Sequence, residues 1–225
     1  MGCNHHSCLN IVPLFQNLEP HQLAAVSAIS HEHSYKGGEL IYRPGEPHGS
    51  LIVVHTGAVK LYRLDSEGNE QVIRILSAGE FAGELALLGG EETQDFAEAL
   101  SESTLCIIDG EELGELMLQH PTIGLKFTQE LSRRLRQSDT NLHQVVRGRV
   151  EQRLAWYLLD LYRKGGELSI ELPITKGNVA SLLAMSQETL SRAFKSLEGD
   201  ELISLGKGRK VTILDSEGLE ELILT

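Results

Sequence analysis

The periodicity of the apolar residues changes near Pro121, which restricts the chain to a β-rich part followed by a helical part. From Lys36 to about Asp109, short segments with a period near two alternate with glycine-containing turns, a pattern typical of an antiparallel sandwich or jelly-roll barrel. A short helix from Glu19 to Ile29 is predicted before this region. The predicted strands are Glu39–Tyr42, Ser50–Val54, Ala58–Tyr62, Gln71–Leu76 and Thr104–Ile108.

A narrow seam of apolar and small polar residues runs along the helical part. Its members are three or four residues apart, the spacing of the a and d positions of a coiled coil. The seam consists of Thr128, Leu131, Leu135, Ser138, Leu142 and Val145. We predict a dimerisation helix in which all of these except Thr128 face a second copy of the chain. The alternative is a helix that packs its apolar face on its own barrel.

A helix-turn-helix pattern occupies residues 174–197. Thr175 is placed to cap a first helix, Ala184 and Met185 form the turn, and Ser186 is placed to cap a second helix. Three apolar residues share the inner side of the second helix: Leu190, Phe194 and Leu197. The outer side carries Gln187, Glu188, Ser191, Arg192 and Lys195. Because these side-chain types recognise base edges and phosphates, this face is predicted to bind double-stranded DNA.

A basic, glycine-rich hairpin follows the second helix. Its predicted strands are Leu202–Leu205 and Val211–Leu214, and its tip carries Lys207 and Arg209. A wing of this kind can approach DNA phosphates, so both cations are predicted to contact DNA.

The chain is therefore predicted to be an α+β protein in three parts. These are a β-rich domain over residues 1–120, the dimerisation helix over 121–147, and a winged helix-turn-helix domain over 148–225. Before the helix-turn-helix, we predict an amphipathic helix from Glu151 to Lys164 and a short strand pair around Leu168–Leu172.

The formal net charge of −12 is distributed unevenly. Residues 1–146 hold 9 basic and 20 acidic side chains, residues 147–214 hold 11 and 8, and the last eleven residues hold four acidic ones. The parts therefore carry −11, +3 and −4, which excludes DNA binding driven by bulk charge but not binding by a few well-placed cations. No apolar run is long enough to span a membrane and no secretion signal begins the chain, so a cytoplasmic protein without a membrane partner is expected.

The order of these parts resembles the Crp/Fnr family of bacterial transcription regulators over essentially the whole chain. Gly79–Leu87 resembles the β-roll signature of the family's cyclic-nucleotide-binding-like sensor domain, and Glu188–Arg192 resembles the recognition helix of the Fnr branch. The resemblance implies that Glu188, Ser191 and Arg192 read a TTGAT-type half-site. It also implies a homodimer on a palindrome close to TTGAT-N4-ATCAA, with RNA polymerase as a partner.

The segment after the β-roll signature argues against a cyclic nucleotide as the effector. In cyclic-nucleotide-binding relatives, an Arg-Ser or Arg-Thr pair in this segment clamps the phosphate. Residues 87–97 contain no lysine or arginine and three acidic side chains. Burying an anion without a cation or clustered N–H donors is costly, so cyclic nucleotides are not expected to bind.

Three cysteines, Cys3, Cys8 and Cys106, are candidate sensor residues. The resemblance implies this role, because the Fnr branch senses redox state through N-terminal cysteines and one central cysteine. Residues 8–18 are also similar to the N-terminus of the Flp proteins of lactic-acid bacteria. The Fnr cluster uses a C-x2-C-x5-C run, whereas this chain has C-x4-C with His5 and His6 between the cysteines.

Four interpretations of these residues stay open. An iron–sulfur cluster would need a histidine or another non-cysteine ligand to complete it. Cys3, His5, Cys8 and Cys106 match the ligand count of a tetrahedral zinc or iron site. A Cys8–Cys106 disulfide would form a redox switch without any cofactor. In the fourth interpretation Cys106 is a buried small hydrophobe, and the regulator responds to a small molecule without cysteine sensing.

A jelly-roll metal enzyme is the alternative from another functional class. Such enzymes need several histidine and carboxylate ligands pointing into the barrel. Only His48 and His55 are predicted within the barrel strands, and they are of opposite parity. No nucleophile motif and no phosphate-binding glycine loop is found, so no catalytic residues are expected.

Overall fold

The computed structural model describes residues 9, 12–16, 18–45, 49–90 and 92–224, and of these the side chains of all except residues 137–147. It divides the chain into two compact units, Met1–Arg134 and Leu135–Thr225. The division lies inside a long helix, Pro121–Arg147, which the sequence sets apart as a dimerisation helix.

The first unit contains an antiparallel β-sandwich of two four-stranded sheets, which confirms the predicted β-roll. Its strands are β1 (Ser30–Tyr35), β2 (Leu40–Tyr42), β3 (Ser50–Thr56), β4 (Ala58–Leu64), β5 (Glu70–Ser77), β6 (Phe81–Ala82), β7 (Phe96–Ala99) and β8 (Ser103–Asp109). The first sheet has the strand order β1-β8-β3-β6 and the second has the order β2-β7-β4-β5.

The five predicted strands are confirmed as β2, β3, β4, β5 and β8, whereas β1, β6 and β7 were not predicted. Strand β1 lacks an apolar alternation because it lies at an edge of the first sheet, where it pairs with β8. It contains His31 and His33, so the prediction that only His48 and His55 lie in barrel strands is wrong. His48 lies outside the described residues.

Strands β3 and β8 of the first sheet are buried on both faces. Alternate residues of β3 and β8 belong to two different hydrophobic clusters, since successive side chains of a strand point to opposite faces. The inner cluster includes Ile52, Val54, Leu105 and residues of the second sheet. The outer cluster includes Leu51, Val53, Cys106, Ile108 and residues of the N-terminal segment and of the helices. This burial explains the nearly continuous apolar run of β3.

From residue 18 onwards, the described helices that belong wholly or partly to the first unit are α1 (Pro20–Ala28), α2 (Glu84–Gly89), α3 (Gly110–Gln119) and α4 (Pro121–Arg147). Helices α1 and α4 confirm the predictions, whereas α2 and α3 were not predicted. Helix α3 begins at a cap in which the Asp109 carboxylate accepts hydrogen bonds from the backbone N–H groups of Glu111 and Glu112.

One side of α4 packs on its own barrel. Ile123 and Phe127 are buried in the outer cluster, and Leu131 is partly buried against it. Leu135 is 65 % exposed. The barrel-packing alternative therefore holds for the first half of the helix, including Leu131. The other predicted seam residues, Ser138, Leu142 and Val145, lie where side chains are not described.

The second unit contains a three-stranded sheet and the remaining helices. Its elements are α5 (Val150–Gly165), β9 (Ser169–Glu171), α6 (Lys176–Leu182), α7 (Gln187–Gly199), β10 (Ile203–Leu205), β11 (Lys210–Ile213) and α8 (Ser216–Leu224). The predicted strand pair around Leu168–Leu172 is wrong, because this segment forms the single strand β9, which pairs with β11. Helix α8 was not predicted. Within the described part of the chain, no helix is long and apolar enough to cross a membrane.

Candidate functional site

Helices α6 and α7 form a helix-turn-helix whose predicted caps are confirmed. The Thr175 hydroxyl accepts a hydrogen bond from the Asn178 N–H, and the Ser186 hydroxyl accepts one from the Thr189 N–H. The turn between the helices contains Ala184 with φ +51°. This left-handed conformation is unfavourable for a residue with a Cβ atom, so other contacts must hold the turn.

Arg153, on α5, supplies these contacts. Its Nη1 donates to the carbonyl oxygens of Leu183 (2.8 Å) and Ala184 (3.1 Å), and its Nε donates to the carbonyl oxygen of Gly148. Carbonyl groups at the end of a helix have no partner within the helix, and here one guanidinium binds those of the two residues that follow α6, Leu183 and Ala184. Sequence reasoning missed Arg153. The available signal was Ala184, a residue other than glycine at the position where the chain must turn.

The outward face of α7 is the candidate interface. Leu190, Ala193, Phe194 and Leu197 are buried in the second unit. All five predicted contact residues of this helix are exposed: Gln187, Glu188, Ser191, Arg192 and Lys195. Burial of one side therefore leaves the other side of α7 available to a partner.

Three of the predicted contact residues of α7 have neighbours within the second unit. The Arg192 guanidinium lies 3.7 Å from the Glu188 carboxylate, with side-chain exposures of 70 % and 82 %. Exposed ion pairs contribute only about 0–1 kcal/mol, so a base edge can replace this one. The amide of Gln187 lies over Gly177, where a Cβ atom would be 3.0 Å from Gln187 Nε2.

The predicted wing is confirmed as the hairpin of β10 and β11. Its tip is closed by a hydrogen bond from the Gly206 N–H to the Lys210 carbonyl oxygen, and Gly208 has φ +69°. Lys207 and Arg209 are exposed, and Arg209 Nη2 lies 3.5 Å from the Glu171 carboxylate.

A separate cavity of about 320 Å³ lies in the first unit. Its charged lining residues are Arg63, Arg74, Glu84, Glu92 and Asp95. Arg63 pairs with Asp95 at 2.5 Å, and Arg74 pairs with Glu84 at 3.5 Å. With two arginines against three carboxylates, the lining has a formal charge of −1. A further anion would therefore meet a net negative lining.

Two other residues shape this cavity. Burial, followed by the nearby Asp95 carboxylate, raises the pKa of Tyr42 to about 12, so its hydroxyl is neutral at physiological pH. Gly83 has φ +98°, and a Cβ atom there would collide with the Ser50 carbonyl oxygen. Only glycine allows this turn into α2.

The candidate sensor cysteines are only partly described. Cys106 is buried in the outer cluster, which also contains Leu9 and Val12 of the N-terminal segment. Cys3, His5 and Cys8 lie outside the described residues. Among those that are described, no group of three histidine, cysteine or carboxylate side chains has the arrangement of a metal site.

Glu32 is the cross-strand neighbour of Cys106 between β1 and β8. In the described part of the chain, its Oε2 is buried without a hydrogen-bond partner. Sequence reasoning missed Glu32, because β1 itself was not predicted.

Comparison with known proteins identifies both units. Residues 32–120 match the family of the cyclic nucleotide-binding domain, and residues 152–222 match the family of the Crp-like helix-turn-helix domain. The chain is 32 % identical to "Probable transcriptional regulator flp" of Lacticaseibacillus casei, over 96 % of this chain and 98 % of that protein. It is 30 % identical to "Cyclic AMP receptor protein" of Thermus thermophilus, over 93 % of this chain and 96 % of that protein.

A solved structure shares the fold. FixK2 from Bradyrhizobium japonicum matches with a TM-score of 0.78 and 24 % sequence identity, over 86 % of this chain and 97 % of that chain. At this identity, the match supports the arrangement of the elements and nothing further.

Replacing Arg153 by methionine should destabilise the second unit. The substitution keeps most of the apolar stem but removes the guanidinium that binds three carbonyl oxygens. We expect a loss of at least about 1.5–3 kcal/mol in the free energy of unfolding, measured by urea denaturation, since even one hydrogen bond from a charged group contributes about that much.

The matched control is Arg163→Met on the same helix. Arg163 is 60 % exposed and pairs with Glu220, so its removal should cost less than about 1 kcal/mol. Equal losses for the two variants would contradict the role assigned to Arg153.

Proposed function

Because the chain belongs to the Crp/Fnr family of transcriptional regulators, we propose that it binds DNA sequence-specifically as a homodimer, at a palindrome close to TTGAT-N4-ATCAA. The matched families and relatives are regulators rather than enzymes, and so is this chain. The observation that carries the DNA proposal is the fully exposed polar face of α7, capped at Ser186 and next in sequence to a basic wing.

In this proposal, Arg192 binds guanine, Glu188 accepts a hydrogen bond from cytosine, and Ser191 completes the reading of the half-site. The remaining contacts orient the domain on the DNA backbone or the neighbouring bases. They come from Thr175, Ser186, Gln187, Lys195, Lys207 and Arg209. The positive charge that phosphate and guanine contacts need is local, and Arg192, Lys195, Lys207 and Arg209 supply it despite the acidic chain.

Helix α4 makes the dimer contact in this proposal. A two-fold palindrome requires a two-fold dimer with its recognition helices about one helical turn of DNA apart. The proposed seam comprises Leu131, Leu135, Ser138, Leu142 and Val145. The 65 % exposure of Leu135 in the single chain supports this seam. Leu131 is partly buried against its own barrel, so only its exposed part contributes to the dimer contact. RNA polymerase in the cytoplasm is the partner that activation or repression would involve.

The effector chemistry that we propose is redox or metal sensing through Cys3, His5, Cys8 and Cys106. Leu9, which follows Cys8 directly in the sequence, belongs to the same cluster as Cys106, and this supports the proposal. The Glu32 carboxylate beside Cys106 adds an oxygen donor. Thiolate and imidazole ligands suit a zinc or iron site. An iron–sulfur cluster would use the same thiolates, whereas a Cys8–Cys106 disulfide needs no cofactor.

The cavity supports a second candidate, a regulator that responds to a small molecule. Its paired arginines and third carboxylate favour an uncharged or zwitterionic ligand over a cyclic phosphate. The cyclic nucleotide-binding domain family to which residues 32–120 belong supplies the fold of this cavity, but its lining does not fit that ligand.

Replacing Arg192 by alanine should weaken binding to the matched palindrome by about 1–3 kcal/mol, which is roughly 5- to 150-fold in Kd. The reason is the loss of a bidentate contact to guanine. Kd is measured by fluorescence anisotropy on the TTGAT palindrome and on a scrambled duplex at fixed salt.

Two variants serve as controls for Arg192. Arg163→Ala removes the same charge from α5 and should leave both affinities nearly unchanged. Lys207→Ala should weaken both duplexes alike, because a phosphate contact carries no sequence information. An equal loss on the two duplexes for Arg192→Ala would reject its role in reading bases.

Operator affinity should depend on redox state or metal through the cysteines. We expect a difference of about 5- to 150-fold in Kd between protein in air, in reductant and in chelator, the usual range of coupling between two sites. Cys8→Ser and Cys106→Ser should abolish this difference. Cys106→Ala serves as a folding control for the buried position.

Cys3→Ser separates the chemical alternatives. A Cys8–Cys106 disulfide does not need Cys3, whereas a metal site or cluster does, and metal and sulfide analysis of anaerobically purified protein distinguishes these two. A wild-type chain with the same affinity under all three conditions would reject the sensor and leave the DNA proposal intact.

Cyclic AMP should not stabilise the protein. At about 100 times its Kd a ligand adds about 2.7 kcal/mol of stability, which for a chain of this size raises Tm by roughly 5–11 °C. We expect cyclic AMP at about 1 mM to leave Tm, measured by differential scanning fluorimetry, within about 1 °C. The double variant Gln94→Arg, Asp95→Ser should gain stabilisation, since it adds a cation and removes a carboxylate from the lining. A rise of several degrees in the wild type would contradict the charge argument.

A further inference from the structure

Two histidines that are far apart in sequence contact each other in the first unit. His21 lies on α1, and His120 lies between α3 and α4. Their ring centroids are 5.6 Å apart, and the ring planes are inclined to each other by 62°. His21 is exposed and His120 is partly buried, so solvent reaches the pair.

The backbone at both histidines is fixed by local structure. His21 directly follows Pro20, which suits the first position of a helix. The His120 N–H donates to the Leu116 carbonyl oxygen at the end of α3, and the His120 carbonyl oxygen accepts from the Ile123 N–H at the start of α4. The two rings therefore project from hydrogen-bonded turns.

A hydrogen bond beside the pair joins the same elements. Gln22, the residue after His21, donates from Nε2 to the Thr122 hydroxyl on α4 at 2.6 Å. Gln22 is only 8 % exposed, and an unpaired polar group at a buried position is costly. This bond therefore holds the start of α1 against the start of α4, and with it the backbones that carry His21 and His120.

The ring nitrogens of the pair are available to a ligand. Within the described part of the chain, neither ring makes a hydrogen bond or an ion pair, and the contact between them is one of ring edges and faces. A neutral imidazole carries one nitrogen with a lone pair, which is the atom that binds a metal ion. The pair thus brings two such nitrogens to one accessible place.

The distance between the rings is close to that of two ligands on one metal ion. Two imidazoles on a tetrahedral zinc ion, with Zn–N bonds of about 2.0–2.1 Å, have ring centroids about 5 Å apart. The observed 5.6 Å exceeds this only slightly. The χ2 torsion of histidine has a broad energy minimum, so ring rotation is the main adjustment that chelation requires.

We propose that His21 and His120 chelate one divalent transition-metal ion of the class that imidazole prefers, Zn²⁺, Ni²⁺ or Cu²⁺. Among the described side chains, no third histidine, cysteine or carboxylate completes the group, so water fills the remaining positions and the ion is exchangeable. The surplus of acidic side chains in residues 1–146 attracts cations to this unit. The bound ion links α1 to the corner between α3 and α4. This site shares no residue with the proposed cysteine sensor.

The test is modification of the full chain by diethylpyrocarbonate, which reacts with imidazole nitrogens that no metal occupies. The rate at each histidine is followed by mass spectrometry of peptides, with and without Zn²⁺, which has no redox chemistry and so does not oxidise the cysteines. At about ten times its Kd, Zn²⁺ should slow modification of His21 and His120 about tenfold. It should also raise Tm by roughly 3–6 °C.

Substitutions of each histidine test whether the two act together. His21→Gln should abolish the protection of His120, and His120→Gln should abolish that of His21, because one imidazole alone does not chelate. Each variant is compared with itself without Zn²⁺, so a loss of the ring contact is not mistaken for a loss of metal. His120→Asn replaces His120→Gln if the latter does not fold, and the exposed His21 position supplies the other half of the test.

Two further variants are matched controls. His31→Gln removes another exposed histidine of the first unit, from β1, and should leave the protection of His21 and His120 unchanged. Cys8→Ser disrupts the proposed sensor and should also leave it unchanged. Failure of the sensor and failure of this site are therefore separate results, and neither readout involves DNA.

Three results would overturn the proposal. The first is an unchanged rate at both histidines in about 0.5 mM Zn²⁺, where even a Kd of about 0.1 mM would slow modification about sixfold. The second is protection of one histidine that survives substitution of the other. The third is loss of the protection in Cys8→Ser, which would assign the ion to the cysteine site.

Discussion

Burial of β3 and β8 on both faces is the constraint on which the first unit depends. These two strands place alternate side chains in the inner and outer clusters, so neither of their faces is left to water. The inner face is covered by the second sheet. The outer face requires a separate cover, and the N-terminal segment, α1, α3 and the first half of α4 supply it. The second sheet covers only the inner face, so the apolar outer face would be exposed without a further layer. This explains why the first half of α4 packs on the barrel.

The second unit is subject to a different constraint, because its proposed partner DNA is a polyanion and the chain as a whole is acidic. With a formal charge of −12, the whole protein repels phosphates at long range, and only local geometry can overcome this. The cations of the proposed interface are concentrated on one exposed face of α7 and at the tip of a hairpin, and the apolar residues of α7 lie on its opposite side. Arg153 has a structural role instead, since its guanidinium donates hydrogen bonds to carbonyl groups of the turn. The proposed contacts from α7 to base edges favour a matched duplex over random DNA, whereas the phosphate contacts of the hairpin tip only position the domain.

Sequence reasoning succeeded where one physical signal dominated a segment. The five apolar strands, the helix from Pro121, the caps at Thr175 and Ser186, and the exposed face of α7 all follow from periodicity or capping. It failed where tertiary context decided the outcome. Strand β1 is polar because it lies at an edge, β6 has only two residues, and β9 joins a strand that is far away in sequence. The role of Arg153 was missed for the same reason, because two of its partners are carbonyl groups that are distant in sequence and that no local pattern reveals.

The two candidate inputs to the first unit act on a common element. Cys106 belongs to the outer cluster, to which α4 contributes Ile123 and Phe127, so chemistry at that thiol would disturb the packing of the helix. Phe81, which directly precedes the cavity-lining Ala82, contacts Phe127 and Arg134 of the same helix. A packed core responds to such disturbances by changing between discrete arrangements, since it has little room for gradual deformation. A thiol or metal site and a ligand cavity are therefore not exclusive alternatives, because a change at either one would affect the packing of α4.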